Sequence, residues 1–323
     1  MKRVVYFVPA ILLAALSHGA PAQTWPVKPV RMIAPSGAGG PVDVICRVLS
    51  QGLSEVLGQQ IVVENRVGAA GLIGTEAVVK SAPDGYTLLF GFSGPLVIVP
   101  HLNPATPYDP LKDLVAVSQA AAAPYVLLVH PSVPATSVKQ LLALARARPN
   151  KMNFGSGGTG VGIHMAGELL KVAAGVQIVH VPYKGAAPAM TALMAGEVDM
   201  MFNGVSAALP HIRAGRVRAL AVGGDRRSAL LPELPTVAES GLKFNTTGWY
   251  GVLAPRGTPQ GVVSRLQGEL VRALNAALVK DQFARQGVES VGSTPAEFAA
   301  LLRAEYEQWG KVIKAAGLKD VPS

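Results

Sequence analysis

Short apolar runs alternate with amphipathic helical patterns along most of the chain. In the first such unit, the apolar run Val30–Ala34 leads into a loop of small residues and then into a helical pattern over 42–57. Short apolar runs are typical of buried strands, and strands that alternate with helices are typical of α/β folds. The sequence therefore predicts an α/β fold with mostly parallel strands.

Further units of this kind follow. Strands are predicted at 61–64, 86–91, 125–130, 152–154, 177–181, 198–202 and 217–222, and helices at 72–80, 137–148, 161–173, 186–195 and 207–214. The proline-rich segment 95–110 is predicted to be a loop. One long helix is expected over 259–280, and a last helix begins at a capping box of Thr294 and Glu297.

The start of the chain has the organisation of a secretory signal. Lys2 and Arg3 precede an apolar segment at 4–16, which is shorter than the roughly 18 apolar residues of a spanning helix. The Ala-Pro-Ala sequence that ends at Ala22 matches a cleavage site. We expect residues 1–22 to be a signal peptide that is cleaved after Ala22, and the mature protein to reach the periplasm.

Composition narrows the class of function. Half of the residues are hydrophobic and only 15% are charged, which favours a folded protein over a disordered one. The net charge of +9 comes from scattered lysines and arginines, and no nucleic-acid-binding motif accompanies it. We expect an exported monomer with no nucleic-acid partner.

The sequence lacks the motifs of common catalytic and metal sites. At 91–95 the nucleophile-elbow pattern fails because Pro95 stands where the last glycine is required. No glycine-rich segment continues into the Gly-Lys-Ser/Thr of a phosphate-binding loop. The histidines are dispersed, and the one cysteine, Cys46, has no partner. We predict no catalytic residues, no metal and no cofactor.

One segment of the sequence matches a nucleotide-binding pattern. Residues 155–160 read Gly-Ser-Gly-Gly-Thr-Gly, which matches G-x-G-x-x-G between a predicted strand and a predicted helix. The acidic residue that holds a ribose about 20 residues further on is missing from the end of the next strand, 177–181. We therefore do not favour a bound dinucleotide.

Two turns rich in small residues, at 35–43 and 155–160, each connect a strand to a helix. The first N–H groups of a helix have no intrahelical partner and favour an anion, but glycines there also serve tight turns and close packing. For either turn alone both interpretations stay open. Because the turns lie in different halves of the predicted fold, we favour two sides of one cleft for a small carboxylate. Neutral hydroxyl donors are available at Ser36, Ser93, Ser156 and Thr159.

Asp43 lies at the start of the first predicted helix. A carboxylate at this position can complement the positive end of the helix dipole, or it can act as a general base. We favour the first role, since no other catalytic group is predicted beside it.

A series of short segments forms a further pattern. They are Trp-Pro-Val-Lys-Pro-Val-Arg at 25–31, Gly-Gly-Pro-Val-Asp at 39–43, Val-Glu-Asn-Arg at 63–66, Gly-Ala-Ala-Gly at 68–71, Ala-Pro-Asp-Gly-Tyr-Thr-Leu-Leu at 82–89, Val-His-Pro-Ser at 129–132, His-Val-Pro-Tyr-Lys-Gly at 180–185 and Leu-Pro-Glu-Leu-Pro-Thr-Val at 231–237. In this order they resemble the Bug family of periplasmic solute-binding proteins, the receptors of tripartite tricarboxylate transporters.

The resemblance implies a periplasmic-binding-protein fold of type II, in which two α/β lobes close on a ligand like a flytrap. Two crossovers join such lobes, and here they would fall near 121–125 and 246–251. Residues 23–124 and 250–323 would then form lobe one, and residues 125–249 would form lobe two.

The resemblance also implies a set of ligand-binding residues. They are Ser36, Gly37, Ala38, Gly39, Gly40, Asp43, Ser93, Gly94, Ser156, Gly157, Gly158, Thr159, Tyr183, Lys184, Gly185 and Asn203. Receptors of the family hold a carboxylate mainly through loop backbone, hydroxyls and ordered water. Two departures, Asn203 in place of the commoner aspartate and the unusual Ser-Gly-Ala at 36–38, leave the identity of the ligand open.

We therefore predict a periplasmic receptor, and not an enzyme, for a small carboxylate. The candidates are a dicarboxylate, a tricarboxylate, an acidic amino acid and an aromatic or heterocyclic acid, taken up through a tripartite tricarboxylate-type transporter. Its partners would be this solute and membrane transporter subunits. A ligand-sensing partner of a membrane sensor and a periplasmic enzyme on the same scaffold stay open as alternatives.

Overall fold

The structure is a computed structural model that describes residues 25–318, so the predicted signal peptide at 1–22 lies outside the described residues. Its strands are β1 (Val30–Ala34), β2 (Ile61–Asn65), β3 (Thr87–Phe92), β4 (Leu114–Val129), β5 (Asn153–Ser156), β6 (Val179–Pro182), β7 (Met200–Gly204), β8 (Arg218–Val222), β9 (Thr247–Pro255) and β10 (Glu289–Ser290). The expected alternation of strands and helices is present, which confirms the α/β class.

The helices follow the strands in the predicted order. They are α1 (Pro41–Leu57), α2 (Leu72–Val79), α3 (Val99–Leu102), α4 (Val138–Ala147), α5 (Gly162–Ala174), α6 (Ala186–Ala195), α7 (Val205–Arg213), α8 (Gln260–Asn275), α9 (Ala277–Arg285) and α10 (Pro295–Ala315). Between residues 25 and 318, none of them combines the length and the apolar character that crossing a bilayer requires.

The strands run in the order β2-β1-β3-β9-β4-β7-β5-β6, with β8 and β10 also paired to β4. The long strand β4 belongs to both halves of this order. Its first part pairs with β9 as far as Pro124, which lies opposite Thr247, and from Tyr125, opposite Gly204, it pairs with β7. This change of partner divides the molecule into two α/β lobes.

The prediction of mostly parallel strands is wrong for the middle of the molecule. The pairs of β1 with β2 and β3, and of β5 with β6 and β7, are parallel. Every pairing made by β4 or β9 is antiparallel. The two strands join the lobes in opposite directions, so they are antiparallel to each other.

Local sequence signals account for the first and last helices, α1 and α10. Helix α1 has Pro41 in its first turn, buries Ile45, Leu49 and Leu53 at a spacing of four residues, and ends at Gly58, whose φ is 65°. Burial of one such leucine or isoleucine contributes about 2 kcal/mol. Helix α10 begins with both hydrogen bonds of the predicted capping box. These helices pack against the sheet and fix the strands that carry the cleft.

Two predictions are wrong, one for the long helix after β9 and one for the loop after β3. The long helix expected over 259–280 is interrupted at Ala276, whose extended backbone separates α8 from α9. This break lets Val279 pack against α1 at Gly52, where a Cβ atom would meet Val279 at 2.5 Å. Within 95–110, the structure has helical turns at Gly94–Ile98 and Val99–Leu102, because their apolar side chains are buried.

Candidate functional site

Two adjoining cavities lie between the lobes. The first, which we call the large chamber, has a volume of about 560 Å³, and the second, the small chamber, has about 410 Å³. Phe92 and Ser93 at the end of β3, and Tyr125 on the crossover strand β4, line both chambers. Together the chambers form one cleft with walls from both lobes, in the size range of small-molecule sites.

Four helices begin at this cleft. The first residues of α1, α6 and α7 line the large chamber, and the first residues of α5 line the small chamber. None of these four helix starts has a side-chain cap. Away from the cleft, Ser137 and Thr294 cap α4 and α10, while α8 and α9 also begin without a side-chain cap. The uncapped N–H groups and the positive helix ends are therefore available to an anion.

The charged residues that line the cleft also favour an anion. Among residues 25–318, Arg285 is the one charged side chain that lines either chamber. Polar contacts are offered by Ser93, Tyr125, Thr159, Asn203 and Ser206. Further polar side chains, among them Ser36 and Gln286, and many apolar side chains complete the lining, so the cleft suits a small ligand that combines an anionic group with an apolar body.

Ser36 and Asn203 differ in how their polar atoms are used. The Oγ of Ser36 is buried beside the small chamber and has no hydrogen-bond partner among the described residues. The side-chain oxygen of Asn203 accepts a hydrogen bond from Gly204 N at 2.9 Å. A buried hydroxyl without a partner costs free energy, so Ser36 is the stronger candidate for a direct bond to a ligand.

Asp43 lies behind the first loop and not in the cleft. Its carboxylate accepts hydrogen bonds from Gly39 N at 2.8 Å, from Asn65 Nδ2 at 2.8 Å and from Arg47 Nε at 3.1 Å. Burial alone would raise the pKa of Asp43, but these bonds and the charge of Arg47 outweigh it and hold the pKa below its usual value. Asn65 Nδ2 also donates to Ser36 O at 3.1 Å. The carboxylate therefore fixes the loop and does not face the ligand.

The second loop is fixed by neutral groups. The Ser156 hydroxyl is fully buried, lies 2.6 Å from His180 Nε2, donates to Gly158 O at 3.0 Å and accepts from Gly158 N at 3.2 Å. Gly160 N donates to Nδ1 of the fully buried His164 at 3.1 Å. The two imidazole rings are in contact, with centroids 3.9 Å apart. The histidines hold the loop from below and leave Thr159 at the small chamber.

Ser156 and His180 resemble a nucleophile and its base, but their surroundings oppose that role. The Ser156 hydroxyl has no exposed surface, and neither residue lines a chamber. Burial, reinforced by the neighbouring His164, lowers the pKa of His180 to about 4. The pair therefore has no access to a substrate in the cleft, and it acts as a structural clip for the loop.

The structure brings about half of the predicted site residues to the cleft. Those that line a chamber are Ser36, Gly37, Gly39, Ser93, Gly94, Thr159 and Asn203. Those that do not are Ala38, Gly40, Asp43, Ser156, Gly157, Gly158, Tyr183, Lys184 and Gly185. Several of the latter adjoin the wall, since Gly40 and Gly185 are the residues before α1 and α6.

Sequence reasoning missed three parts of the wall. Helix α7 begins at Val205, two residues before its predicted start, so Val205 and Ser206 were not included. Tyr125 carried no motif. The segment 285–288, after α9, lines the large chamber from the C-terminal part of lobe one. Of these three parts, only the start of α7 had a signal in the sequence, because it also follows a turn from a strand into a helix.

Two lobes joined by antiparallel crossovers, with helix starts converging on the cleft between them, define the class of two-lobed periplasmic binding proteins. A protein at 24% identity, a TctC solute binding protein from Polaromonas, shares this fold with a TM-score of 0.82 over 90% of this chain and 100% of that one. The expected flytrap architecture is confirmed.

The family follows from the sequence comparisons. The family model described as tripartite tricarboxylate transporter family receptor matches residues 45–318, and the chain belongs to this family. The chain is 40% identical to the UPF0065 protein in the tcbD-tcbE intergenic region of Pseudomonas sp. (strain P51), covering 97% of this chain and 93% of the relative. It is 39% identical to protein BugT of Bordetella pertussis, covering 96% of each. The resemblance to the Bug family is confirmed.

Two solved structures with bound ligands are also similar. The structure of R. palustris Rpa4515 with adipate is 36% identical, has a TM-score of 0.77 and covers 91% of this chain and 98% of that one. MatC (Rpa3494) from Rhodopseudomonas palustris with bound malate is 31% identical, has a TM-score of 0.74 and covers 90% of this chain and 100% of that one.

Proposed function

We propose that the protein is a periplasmic receptor that binds a small carboxylate between its lobes and delivers it to the membrane subunits of a tripartite tricarboxylate-type transporter. The observation that carries this proposal is the convergence of four uncapped helix starts on one cleft. Such starts stabilise an anion through N–H groups and dipoles without a buried counter-charge. Family membership and the adipate and malate found in similar proteins support it.

The division into lobes is part of this proposal. We place lobe one at 23–124 and 250–323 and lobe two at 125–249, because β4 exchanges β9 for β7 after Pro124. Ligand binding then closes the lobes, provided that the ligand contacts both and so favours the closed form. Tyr125, at the exchange point, would contact ligand and crossover together.

The predicted site residues have two roles in this proposal. Those that line the chambers, such as Ser36, Ser93 and Thr159, contact the carboxylate directly or through water. Asp43 and Ser156 do not contact it, and their hydrogen bonds hold the two loops in position. Binding without turnover is expected, because the Ser156 hydroxyl is enclosed.

A matched pair of variants tests the helix starts. Ala207 in the first turn of α7 lines the large chamber, and the exposed Ala296 in the first turn of α10 does not. Aspartate in a first turn favours each helix, so both Ala207→Asp and Ala296→Asp are expected to fold. Only Ala207→Asp places a negative charge in the cleft, where it competes with a bound carboxylate.

The measurement is titration calorimetry with adipate, malate, citrate, glutamate and benzoate, followed by analysis of the recovered solute. We expect the wild type to bind at least one of these carboxylates without converting it. In Ala207→Asp, the affinity for that carboxylate should fall about tenfold or more, as expected for loss of a charge-assisted interaction. Ala296→Asp should bind like the wild type. Equal affinity in both variants, or conversion of the solute, would contradict the proposal. Solute uptake by vesicles that contain the transporter subunits tests delivery.

A further inference from the structure

The large chamber has a third wall that comes from neither glycine-rich loop. The turn after α9, at 285–288, approaches the start of α7 from lobe one. Gly287 has a φ of 65°, and a Cβ atom there would collide with Ser206 Cβ. This close approach needs glycine, and it holds the turn against lobe two. Arg285, the last residue of α9, is thereby held at the chamber.

Arg285 is distinguished from the other arginines of the structure by its place on the chamber wall. None of the ion pairs and side-chain hydrogen bonds found among residues 25–318 includes Arg285. A cation in the last turn of a helix complements the dipole, and Arg272 does so in α8. Arg272, however, pairs with Glu269 at 2.7 Å and lies outside both chambers. Arg285 alone combines a position on the chamber wall with a free guanidinium.

The chamber therefore has two places that favour negative charge. One is formed by the uncapped starts of α1, α6 and α7, and the other by Arg285. The same chamber is also lined by apolar side chains, which include Val42, Ile45, Val205 and Val288. A guanidinium stays charged at all relevant pH values and can bind a carboxylate through two parallel hydrogen bonds.

We propose that Arg285 is a specificity-determining residue that binds a second carboxylate, so that the ligand is a dicarboxylate with an apolar spacer. The inference rests on the proposed function, since it assumes that the first carboxylate lies at the helix starts. A monocarboxylate of equal length fills the chamber but leaves Arg285 without a partner.

Adipate and hexanoate form a suitable pair of probes, because both have six carbons and they differ by one carboxylate. Titration calorimetry of the wild type, Arg285→Gln, Arg285→Lys and the control Arg272→Gln gives the ratio of the two affinities in each protein. We expect the wild type to prefer adipate by about tenfold or more, the value of one charge-assisted hydrogen bond or pair. Arg285→Gln should lose this preference and still bind hexanoate, and Arg285→Lys should keep part of it.

Each other outcome has a distinct meaning. If Arg285→Gln keeps the adipate preference, or if the wild type binds hexanoate as tightly as adipate, Arg285 does not read a second carboxylate. If Arg272→Gln loses the preference equally, the effect comes from net charge and the assignment is wrong. If the wild type binds no carboxylate, the proposed function fails and this inference fails with it. Thermal unfolding of each variant confirms that the binding data come from folded protein.

Discussion

The two loops that face each other across the cleft share one order of elements but are fixed by different chemistry. The loop at 35–43 is held by the carboxylate of Asp43, which is bonded to Arg47 and Asn65. The loop at 155–160 is held by a hydroxyl and two imidazoles. In both, the anchoring groups lie behind the loop and the start of the next helix faces the cleft. The wall of the cleft therefore depends on polar groups that do not themselves line it.

The difference between these anchoring groups predicts how each loop loses its fixed conformation. A charged anchor is strong while its partners are present, but its removal leaves them unsatisfied. A neutral anchor depends on buried groups that oppose protonation. Substitutions and pH should therefore separate the two loops.

The largest effect is expected at Asp43. Asp43→Ala leaves the amide of Gly39, Asn65 and the guanidinium of Arg47 without their acceptor, which should lower the free energy of unfolding by about 2–3 kcal/mol. Carboxylate affinity should fall as well, because the loop loses its fixed shape. Urea unfolding and calorimetry measure both quantities. Unchanged stability would show that the ionic anchor is dispensable.

A pair of serines gives an intermediate effect and contrasts the loops directly. Ser156→Ala removes the group that joins His180 to Gly158 and should cost about 1–2 kcal/mol of stability. Ser36→Ala removes a hydroxyl that has no protein partner, so stability should change by less than about 0.5 kcal/mol. Its carboxylate affinity should nevertheless fall several-fold. The same loss of stability in both variants would contradict the assigned roles.

The last contrast between the two loops is a dependence on pH. The pKa of His180 falls from 6.5 in the unfolded chain to about 4 in the folded protein, where His164, Lys171 and Glu168 also face it. Between these values the unfolded chain binds more protons, so the contribution of His180 to stability is lost as pH falls from 6.5 to 4. Asp43 behaves differently: its lowered pKa keeps its contribution until pH falls below its ordinary value of 3.8.

His180→Asn separates these contributions. Unfolding free energies measured from pH 7 to pH 4 should decline less steeply in this variant than in the wild type, while Asp43→Asn should leave the decline over this range unchanged. Parallel curves for the wild type and His180→Asn would show that His180 is not the titrating group.

Local signals explain how much of the fold could be predicted. The strand at Val30–Ala34 and the helix at Ala186–Ala195 have the predicted bounds, because Pro29 and Pro35 flank the apolar strand and Gly185 and Gly196 flank the helix. The antiparallel pairing of the two crossover strands was missed, since strand pairing depends on residues far apart in sequence. The break at Ala276 has no local signal, because the sequence around it contains neither glycine nor proline.

The candidate site, like the fold, could be predicted only in part from the sequence. Glycine-rich turns from strand to helix identified the loops at 35–43 and 155–160. The anchoring roles of Asp43 and Ser156 could not be found, because Asp43 on α1 bonds to Asn65 on β2 and Ser156 on β5 bonds to His180 on β6. Arg285 was missed for a similar reason, since only the folded chain brings the end of α9 to the cleft.

The central claim is that the two loops are the two sides of one carboxylate site. Amide hydrogen exchange, measured by NMR with and without the tightest-binding carboxylate of the panel, tests it directly. We expect added protection both at 37–44 in lobe one and at 159–165 and 205–207 in lobe two, with no change at the capped starts of α4 and α10. Protection confined to one lobe, or spread equally to those capped helices, would contradict the claim.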